Sequence, residues 1–462
     1  MTHHTDLRGP AQVKLRTSET APVSGTVPDA KPTIGVIADD VTGGTDVAVA
    51  LRRRGLRTLL FFGTPPQSED LPSHDALVIA LKTRMLPPLE AVDLSLEAHR
   101  WLQSHGVDLT YFKYCSTFDS TSGGNIGPVL DALVAALNTN IVVTTPSSPE
   151  HGRTQYAGQL FVGDSPLDES HMRHHPLTPM KDSDLRRLFS QQSPGKAVLI
   201  NHESVRKGAH EIRHRADQAA ASGARYAFID AVSDEDLTQI GLVAVGERLA
   251  AGAAGLAGGI AAAINELYGT SEEGGPAPDA EHGPAAVIAG SCSARTLEQI
   301  ERMHRAGRPA YFLDAASIGD ANLLAANALE WFDGLPPNSS PIIYSSVEPV
   351  LLSKIQLQLG VQGSAEILEN ATGLIAQGLT ARGVRRLIAA GGETCGAVVT
   401  ALGITGGLVG NEADQGVPWI HTRRGEQKLF LLLKSGNFGD PDLLVRASAP
   451  APVNREGRVG PA

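Results

Sequence analysis

Short apolar runs alternate with amphipathic stretches through most of the chain. Residues 33–38 (TIGVIA) form a β-branched run of strand length, which predicts a buried strand. Residues 43–54 then follow a helical pattern that stops at Gly55, the residue type suited to the position just past a helix end. Further strands are predicted at 58–62, 76–81, 141–145 and 226–230. The pattern repeats later, with strands at 285–289, 342–344, 386–390 and 428–434, and a helix at 294–306 among them. The Ala- and Gly-rich run 249–264 is too short, and too poor in large side chains, for the ~20 residues that span a bilayer. It reads as a buried helix entered through a Gly-rich turn. Strands alternating with helices imply parallel, doubly wound sheets. The expected fold is α/β: two doubly wound domains with mostly parallel sheets and an interdomain cleft.

Polar, Pro-rich stretches divide the chain. Residues 1–31 and 449–462 read as disordered tails. The segment 270–284 (TSEEGGPAPDAEHGP) reads as a linker or exposed insertion. These breaks give an N-terminal domain over 32–268, a connecting segment over 269–284 and a C-terminal domain over 285–448.

Composition narrows the function. With 462 residues, 42% hydrophobic and 19% charged, the chain has ample length for real cores. A net charge of −11 argues against nucleic-acid binding, which needs a basic face. It leaves room for an anionic substrate held by a local cluster of cations. Three cysteines without CxxC spacing suit free thiols in a reducing cytoplasm, not a disulfide framework or a structural zinc site. The N-terminus lacks the apolar stretch of a signal peptide. A cytoplasmic protein with no membrane or nucleic-acid partner is expected, with homo-oligomerisation left open.

Six segments carry candidate chemistry. In IADDVTGGTD (37–46), Asp39 and Asp40 end a strand where α/β proteins bind ligands. One could hold or deprotonate a substrate hydroxyl; Asp40 or Thr42 could equally serve only as a helix cap. In FKYCSTFDSTSGGNIG (112–127), Lys113, Asp119, Ser120 and neighbouring hydroxyls suit a ligand with carboxylate and hydroxyl groups. The alternative is a solvated loop with Asn125 as a cap. Arg153, in PEHGRTQYAGQLFVGDSPLDES (149–170), could clamp a carboxylate. His171, His174 and His175 follow without the carboxylates or thiols of a typical zinc set, so no metal ligands are assigned. Ser291 and Ser293 in VIAGSCSART (287–296) form a small-residue turn able to approach an anion. Gly391, Gly392, Glu393 and Thr394 in IAAGGETCGAVVTALG (388–403) make a second such turn. Lys434 and Gly436 in LLLKSGNFGD (431–440) make a third, where the lysine could neutralise phosphate. Neither a Walker GxxxxGK[ST] nor a GxGxxG after a first-domain strand is present, which excludes a Walker-type P-loop enzyme and takes the main support from a Rossmann dehydrogenase.

In order, IADDVTGGTD, KYCSTFDSTSGGNIG, GSCS, AAGGETCGAVV and LKSGNFGDPD resemble the signature segments of the four-carbon acid sugar kinases, over about 33–445. FKYCSTFDST and FVGDSPLDES resemble the 3-oxo-tetronate branch; the threonate branch tends to carry a KKIDSTLRGN-like loop. The resemblance implies an acid-sugar domain followed by a nucleotide domain, with ATP and Mg²⁺ as cosubstrate and cofactor. It implies that the sugar meets Asp39, Asp40, Lys82, Arg84, Lys113, Asp119 and Arg153. ATP would meet Ser291–Ser293, Gly391–Thr394 and Gly436. The expected reaction is phosphorylation of the 4-hydroxyl of 3-oxo-tetronate, with Asp40 or Asp119 acting on the hydroxyl and Lys113, Lys434 and Mg²⁺ offsetting charge. Rival readings are a threonate or erythronate kinase, a non-catalytic acid-sugar-binding protein, and a nicotinamide-dependent oxidoreductase, the last disfavoured by the missing fingerprint. Two departures stand out: Ala251–Gly255 replaces a GGSG-like turn and is left out of the site, and Cys395 stands where Ser is common.

Overall fold

The computed structural model describes residues 28–67, 71–175, 178–269, 281–348 and 360–449. Its strands are β1 (Ile34–Ala38), β2 (Thr58–Phe62), β3 (Ala76–Ala80), β4 (Leu109–Lys113), β5 (Val142–Thr145), β6 (Arg153–Tyr156), β7 (Gln159–Val162), β8 (Ser165–Pro166) and β9 (Ala197–Ile200). They continue with β10 (Tyr226–Ile229), β11 (Leu249–Gly252), β12 (Ala285–Ala289), β13 (Ala310–Phe312), β14 (Ile342–Tyr344), β15 (Arg386–Ala390), β16 (Gly406–Asp414), β17 (Val417–Arg424) and β18 (Gln427–Lys434).

The N-terminal half is an all-parallel array in the order β2-β3-β1-β4-β11-β5-β10-β9. The C-terminal half runs β13-β14-β12-β15-β18, also parallel. The two-domain α/β expectation holds. The structure adds a seam: β18, β17 and β16 form an antiparallel meander, and β16 pairs antiparallel with β2. The result is one 15-stranded sheet, in which each half covers an edge that would otherwise be open to pairing.

Side-chain alternation shows how the sheet is covered. Along β1, Ile34 and Val36 enter one core while Ile37 enters the opposite one. Along β15, Leu387 and Ala389 join the same core as Ile34, and Ile388 and Ala390 face a third. One apolar layer therefore runs beneath both halves, and a separate layer covers the other face of each. Burial on both faces explains why these strands read as unbroken apolar runs.

The run 249–264 needs correction. Residues Leu249–Gly252 are a strand, and the helix is Ala254–Tyr268. The strand lies between β4 and β5, where a Cβ on Gly252 would meet the Tyr111 hydroxyl at 2.7 Å and strike the Thr145 carbonyl. Packing demands small residues there, and small residues erase the β-branched signal of a strand. A hairpin was also overlooked: RTQY and QLFV pair as β6 and β7 around Ala157-Gly158, both at positive φ.

Of the expected first tail, residues 28–31 are described, and Lys31 pairs with Asp75 at 3.2 Å while the Pro28 carbonyl accepts from Tyr268. Residues 1–27, 270–280 and 450–462 of the expected tails and linker lie outside the described residues. No helix among the described residues is long and apolar enough to cross a membrane.

Candidate functional site

The ends of β1, β3 and β4 bring three elements together. Asp39 and Asp40 follow β1, Lys82 and Arg84 follow β3, and Lys113 closes β4. Arg84 Nε donates to Asp39 Oδ2 at 2.8 Å and its Nη2 donates to Asp39 Oδ1 at 3.0 Å, a two-pronged pair. The same Nη2 lies 2.7 Å from Asp40 Oδ1. Lys113 Nζ stands 3.8 Å from Asp39 and 3.7 Å from Asp40. Burial pushes the Asp39 pKa up, but Lys113 and Arg84 outweigh it and hold the carboxyl below its ordinary value. Asp40 does cap the helix Val41–Arg53, accepting the Gly43 N–H at 2.8 Å, so the cap and the ion pair coexist on one side chain.

Asn125 departs from the capping expectation. It precedes the helix Ile126–Leu137 but makes no side-chain cap bond. Its Nδ2 instead donates to the carbonyls of Thr83 (2.8 Å), Arg84 (3.3 Å) and Leu86 (3.0 Å). The side chain thus latches the loop that carries Arg84. Asn125→Ala would strand the buried Thr83 carbonyl and two partly buried ones, with an expected stability loss of ~1–3 kcal/mol and a raised KM for the acid substrate. Asn125→Asp should be worse, because a carboxylate would face carbonyl oxygens. Urea titration and initial-rate kinetics check both; wild-type behaviour of Asn125→Asp would refute the latch.

Asp119 is tied into its own loop. It accepts from Thr117 Oγ1 at 2.7 Å and from the Cys115 thiol, and its N–H donates back to Cys115 Sγ at 3.2 Å. Burial and Asp119 raise the Cys115 pKa, so that thiol stays neutral. Ser120 accepts from Gln192 at 2.9 Å. Arg153, on β6, donates to the His151 carbonyl and leaves Nε buried without a hydrogen-bond partner among the described residues.

In the C-terminal half, three turns converge at the ends of β12, β15 and β18. Ser293 caps the helix Ala294–Arg305 by accepting the Thr296 N–H at 3.3 Å, and its own N–H donates to Ser291 Oγ at 3.2 Å. Thr296 Oγ1 donates to the Gly436 carbonyl at 2.8 Å. Lys434 is 1% exposed, and its ammonium donates to Thr296 Oγ1 (3.0 Å) and the carbonyls of Ser435 (3.2 Å) and Gly436 (3.0 Å). All three of its donors therefore organise the turns, while burial lowers its pKa to about 8. Gly391 sits at φ +130°, and its N–H donates to the Lys434 carbonyl at 2.9 Å. It opens the helix Gly392–Leu402, whose first turn holds exposed Glu393 and buried Thr394. Cys395 packs beneath, its thiol pushed up to about 12 by burial.

Between the halves lies a cavity of about 810 Å³. The N-terminal half contributes Asp40, Thr42, Thr45, Asp46 and Lys82; the C-terminal half contributes Gly392, Glu393, Cys395, Lys434 and Ser435. Asp39, Arg84 and Lys113 stand directly behind Asp40 through the contacts above. Asp119, Ser120, Arg153, Ser291, Ser293, Gly391, Thr394 and Gly436 do not line the cavity itself. Sequence reasoning missed Thr45, Asp46, Glu369, Gly416 and Phe438, which do. Asp46 had a signal, since it lies four residues after Thr42 on the same helix face.

The cavity thus has Asp40 and Lys82 of the N-terminal half on one side, with Arg84 and Lys113 behind Asp40, and the helix start at Gly392-Glu393 of the C-terminal half on the other. Comparison with known families agrees: residues 34–260 match a sugar-binding N-terminal domain and residues 286–444 a nucleotide-binding C-terminal domain. The chain belongs to the four-carbon acid sugar kinase family. It is 42% identical to a 3-oxo-tetronate kinase of Cupriavidus necator, covering 90% of this chain and 96% of that one. It is also 42% identical to a 3-oxo-tetronate kinase of Methylobacterium radiotolerans, covering 90% and 98%. A solved structure from Salmonella typhimurium LT2 superposes with a TM-score of 0.82 at 38% identity, covering 90% of this chain and 98% of that one. One from Haemophilus influenzae superposes with a TM-score of 0.79 at 40% identity, covering 89% and 98%.

Proposed function

We propose that the protein transfers the γ-phosphate of ATP to the 4-hydroxyl of 3-oxo-tetronate, giving 3-oxo-tetronate 4-phosphate and ADP. The observation that carries this reading is the shared cavity, lined by Asp40 and Lys82 from one half and by Gly392 and Glu393 from the other, with Arg84 and Lys113 paired to Asp40. The relatives named as 3-oxo-tetronate kinases, similar over nearly their whole length, support the choice of substrate.

In this account the domain over 32–268 binds the acid sugar. Asp39 fixes Arg84, Asp40 meets the substrate's hydroxyl groups, and Arg84 and Lys113 behind it supply the positive charge that draws the substrate's carboxylate. The domain over 285–448 binds ATP. Backbone N–H groups at the start of the helix Gly392–Leu402 face its phosphates, Gly391 and Thr394 hold that turn, and Ser291, Ser293, Lys434 and Gly436 form its floor. Lys82 makes no hydrogen bond or ion pair among the described residues, and its Nζ is 3.9 Å from where a Cβ on Gly396 would stand. It is placed to meet the transferring phosphate from across the seam.

Mg²⁺ fits the residues present. No group of three or more metal-ligating side chains occurs among the described residues, but Mg²⁺ typically uses one or two carboxylates plus substrate phosphates. Glu393, exposed in the cavity, would hold the ion, which neutralises phosphate charge when bound.

The test is ADP release with Mg²⁺ and ATP against 3-oxo-tetronate, D- and L-threonate and D-erythronate. Turnover of 3-oxo-tetronate well above the rest is expected. Turnover restricted to threonate or erythronate would overturn the substrate assignment.

A further inference from the structure

We infer that Asp46 is the group that takes the proton from the attacking hydroxyl, a catalytic role resting on the kinase reading above. The other carboxylates near the sugar side are occupied. Asp39 is 2% exposed and pinned by Arg84 through two hydrogen bonds. Asp40 Oδ1 already accepts the Gly43 N–H at 2.8 Å and faces Arg84 at 2.7 Å and Lys113 at 3.7 Å. Asp119 accepts from Thr117 and Cys115 and does not line the cavity. Against its burial, Lys113 and Arg84 hold the Asp39 carboxyl below its ordinary value, which suits it poorly to taking a proton.

Asp46 is different. It lines the cavity from the helix Val41–Arg53 beside Thr42 and Thr45. It is half-buried, yet makes no hydrogen bond or ion pair with any described residue. Its Oδ1 is 4.0 Å from where a Cβ on Gly416 would stand, so the β16–β17 turn of the other half closes over it. That places an unengaged carboxylate at the seam, where a hydroxyl from one half must meet a phosphate from the other. Burial raises its pKa; Lys113 and His151 oppose this, and Asp40 and Glu150 reinforce it. A carboxylate raised by burial is better matched to accepting a proton than one held below its ordinary value.

The step balances simply. The 4-oxygen forms a bond to the γ-phosphorus as the bond from that phosphorus to the β-bridging oxygen breaks. The hydroxyl proton passes to the Asp46 carboxylate, and ADP leaves with the electron pair.

Asp46→Asn and Asp46→Glu in the full chain test this. Asp46→Asn should lower kcat by ~10²–10⁴-fold while the calorimetric Kd for ATP stays within about 2-fold. The acid limb of the wild-type kcat–pH profile should vanish from the residual rate of Asp46→Asn, and Asp46→Glu should restore it with part of the rate. The linkage sign gives a separate readout. A carboxyl whose pKa is raised by folding stabilises the fold below its unfolded pKa and loses that contribution as pH rises through the folded value. At neutral pH, Asp46→Asn should therefore match or exceed the wild-type Tm, separating lost chemistry from lost folding. Near-normal kcat in Asp46→Asn, an acid limb that persists there, or a loss confined to KM would each overturn the role. A wild-type chain that binds ATP but turns over no four-carbon acid would bring down the kinase reading, and this assignment with it.

Discussion

Arg84→Ala is expected to destabilise the N-terminal half by about 3 kcal/mol and to abolish useful turnover. Asp39 is a carboxylate only 2% exposed, at the end of a buried strand. Arg84 supplies both of its charge-assisted hydrogen bonds. Removing the guanidinium leaves a buried anion with Lys113 at 3.8 Å as its nearest cation. Breaking one side of a buried pair costs ~3–5 kcal/mol, and the surviving lysine places the effect at the low end. Arg84→Lys should not rescue it, since a single ammonium cannot reproduce the two-pronged contact.

The acid side of the stability curve should move as well. Asp39 has a folded-state pKa below its ordinary value, held there by Lys113 and Arg84 against burial. Its contribution to stability is present above the unfolded carboxyl pKa and is lost as pH falls through the folded value. Without Arg84 the folded pKa rises, so acid unfolding should begin at a higher pH. Urea titrations at several pH values, followed in the N-terminal half, check both statements. A loss below ~1 kcal/mol would mark the pair as no stronger than a surface one.

Gly391→Ala is expected to raise the KM for ATP by at least ~10-fold while leaving acid-sugar affinity unchanged, from a backbone strain of ~1–3 kcal/mol. At φ +130° and ψ 142° the backbone occupies a region open essentially to glycine. An added Cβ would also stand 3.0 Å from both the Ser291 nitrogen and Thr394 Oγ1. Relief requires the turn to shift, which re-aims the N–H groups at the start of the helix Gly392–Leu402. Titration with ATP and, separately, with an acid sugar distinguishes a local effect from general unfolding. Equal loss at both ligands would contradict it.

Much of the frame was legible because buried strands leave plain marks. The predicted strands at 285–289, 342–344 and 386–390 coincide with β12, β14 and β15. Each is an apolar run with both faces covered. β11 was hidden because its neighbours leave room only for small side chains, so LAAG joined the helical pattern after it. The meander was hidden for a different reason. β16 mixes glycines, Asn411 and Glu412, and its register with β17 shifts twice, so no period of two survives.

The site divided in the same way. The strand-end motifs located the carboxylate cluster and the glycine turns. What they lacked was direction. Lys434 looked like a phosphate ligand, yet its ammonium is fully engaged in holding the turns together. Asn125 looked like a cap and proved to be a latch for the Arg84 loop. Asp46 lies inside IADDVTGGTD, but the paired aspartates at the strand end carry the plainer signal. Gly416 and Phe438 reach the cavity only because the halves join at β2 and β16, a pairing that local sequence does not announce.

The most direct test of the account is the position of the new phosphate. Wild-type protein would be incubated with Mg²⁺, ATP and 3-oxo-tetronate, and the product examined at once by phosphorus–proton correlated NMR. The account predicts coupling of the new phosphorus to the methylene protons of C4. Coupling to the single proton of C2, or ATP consumption with phosphorus appearing only as free phosphate, would contradict it.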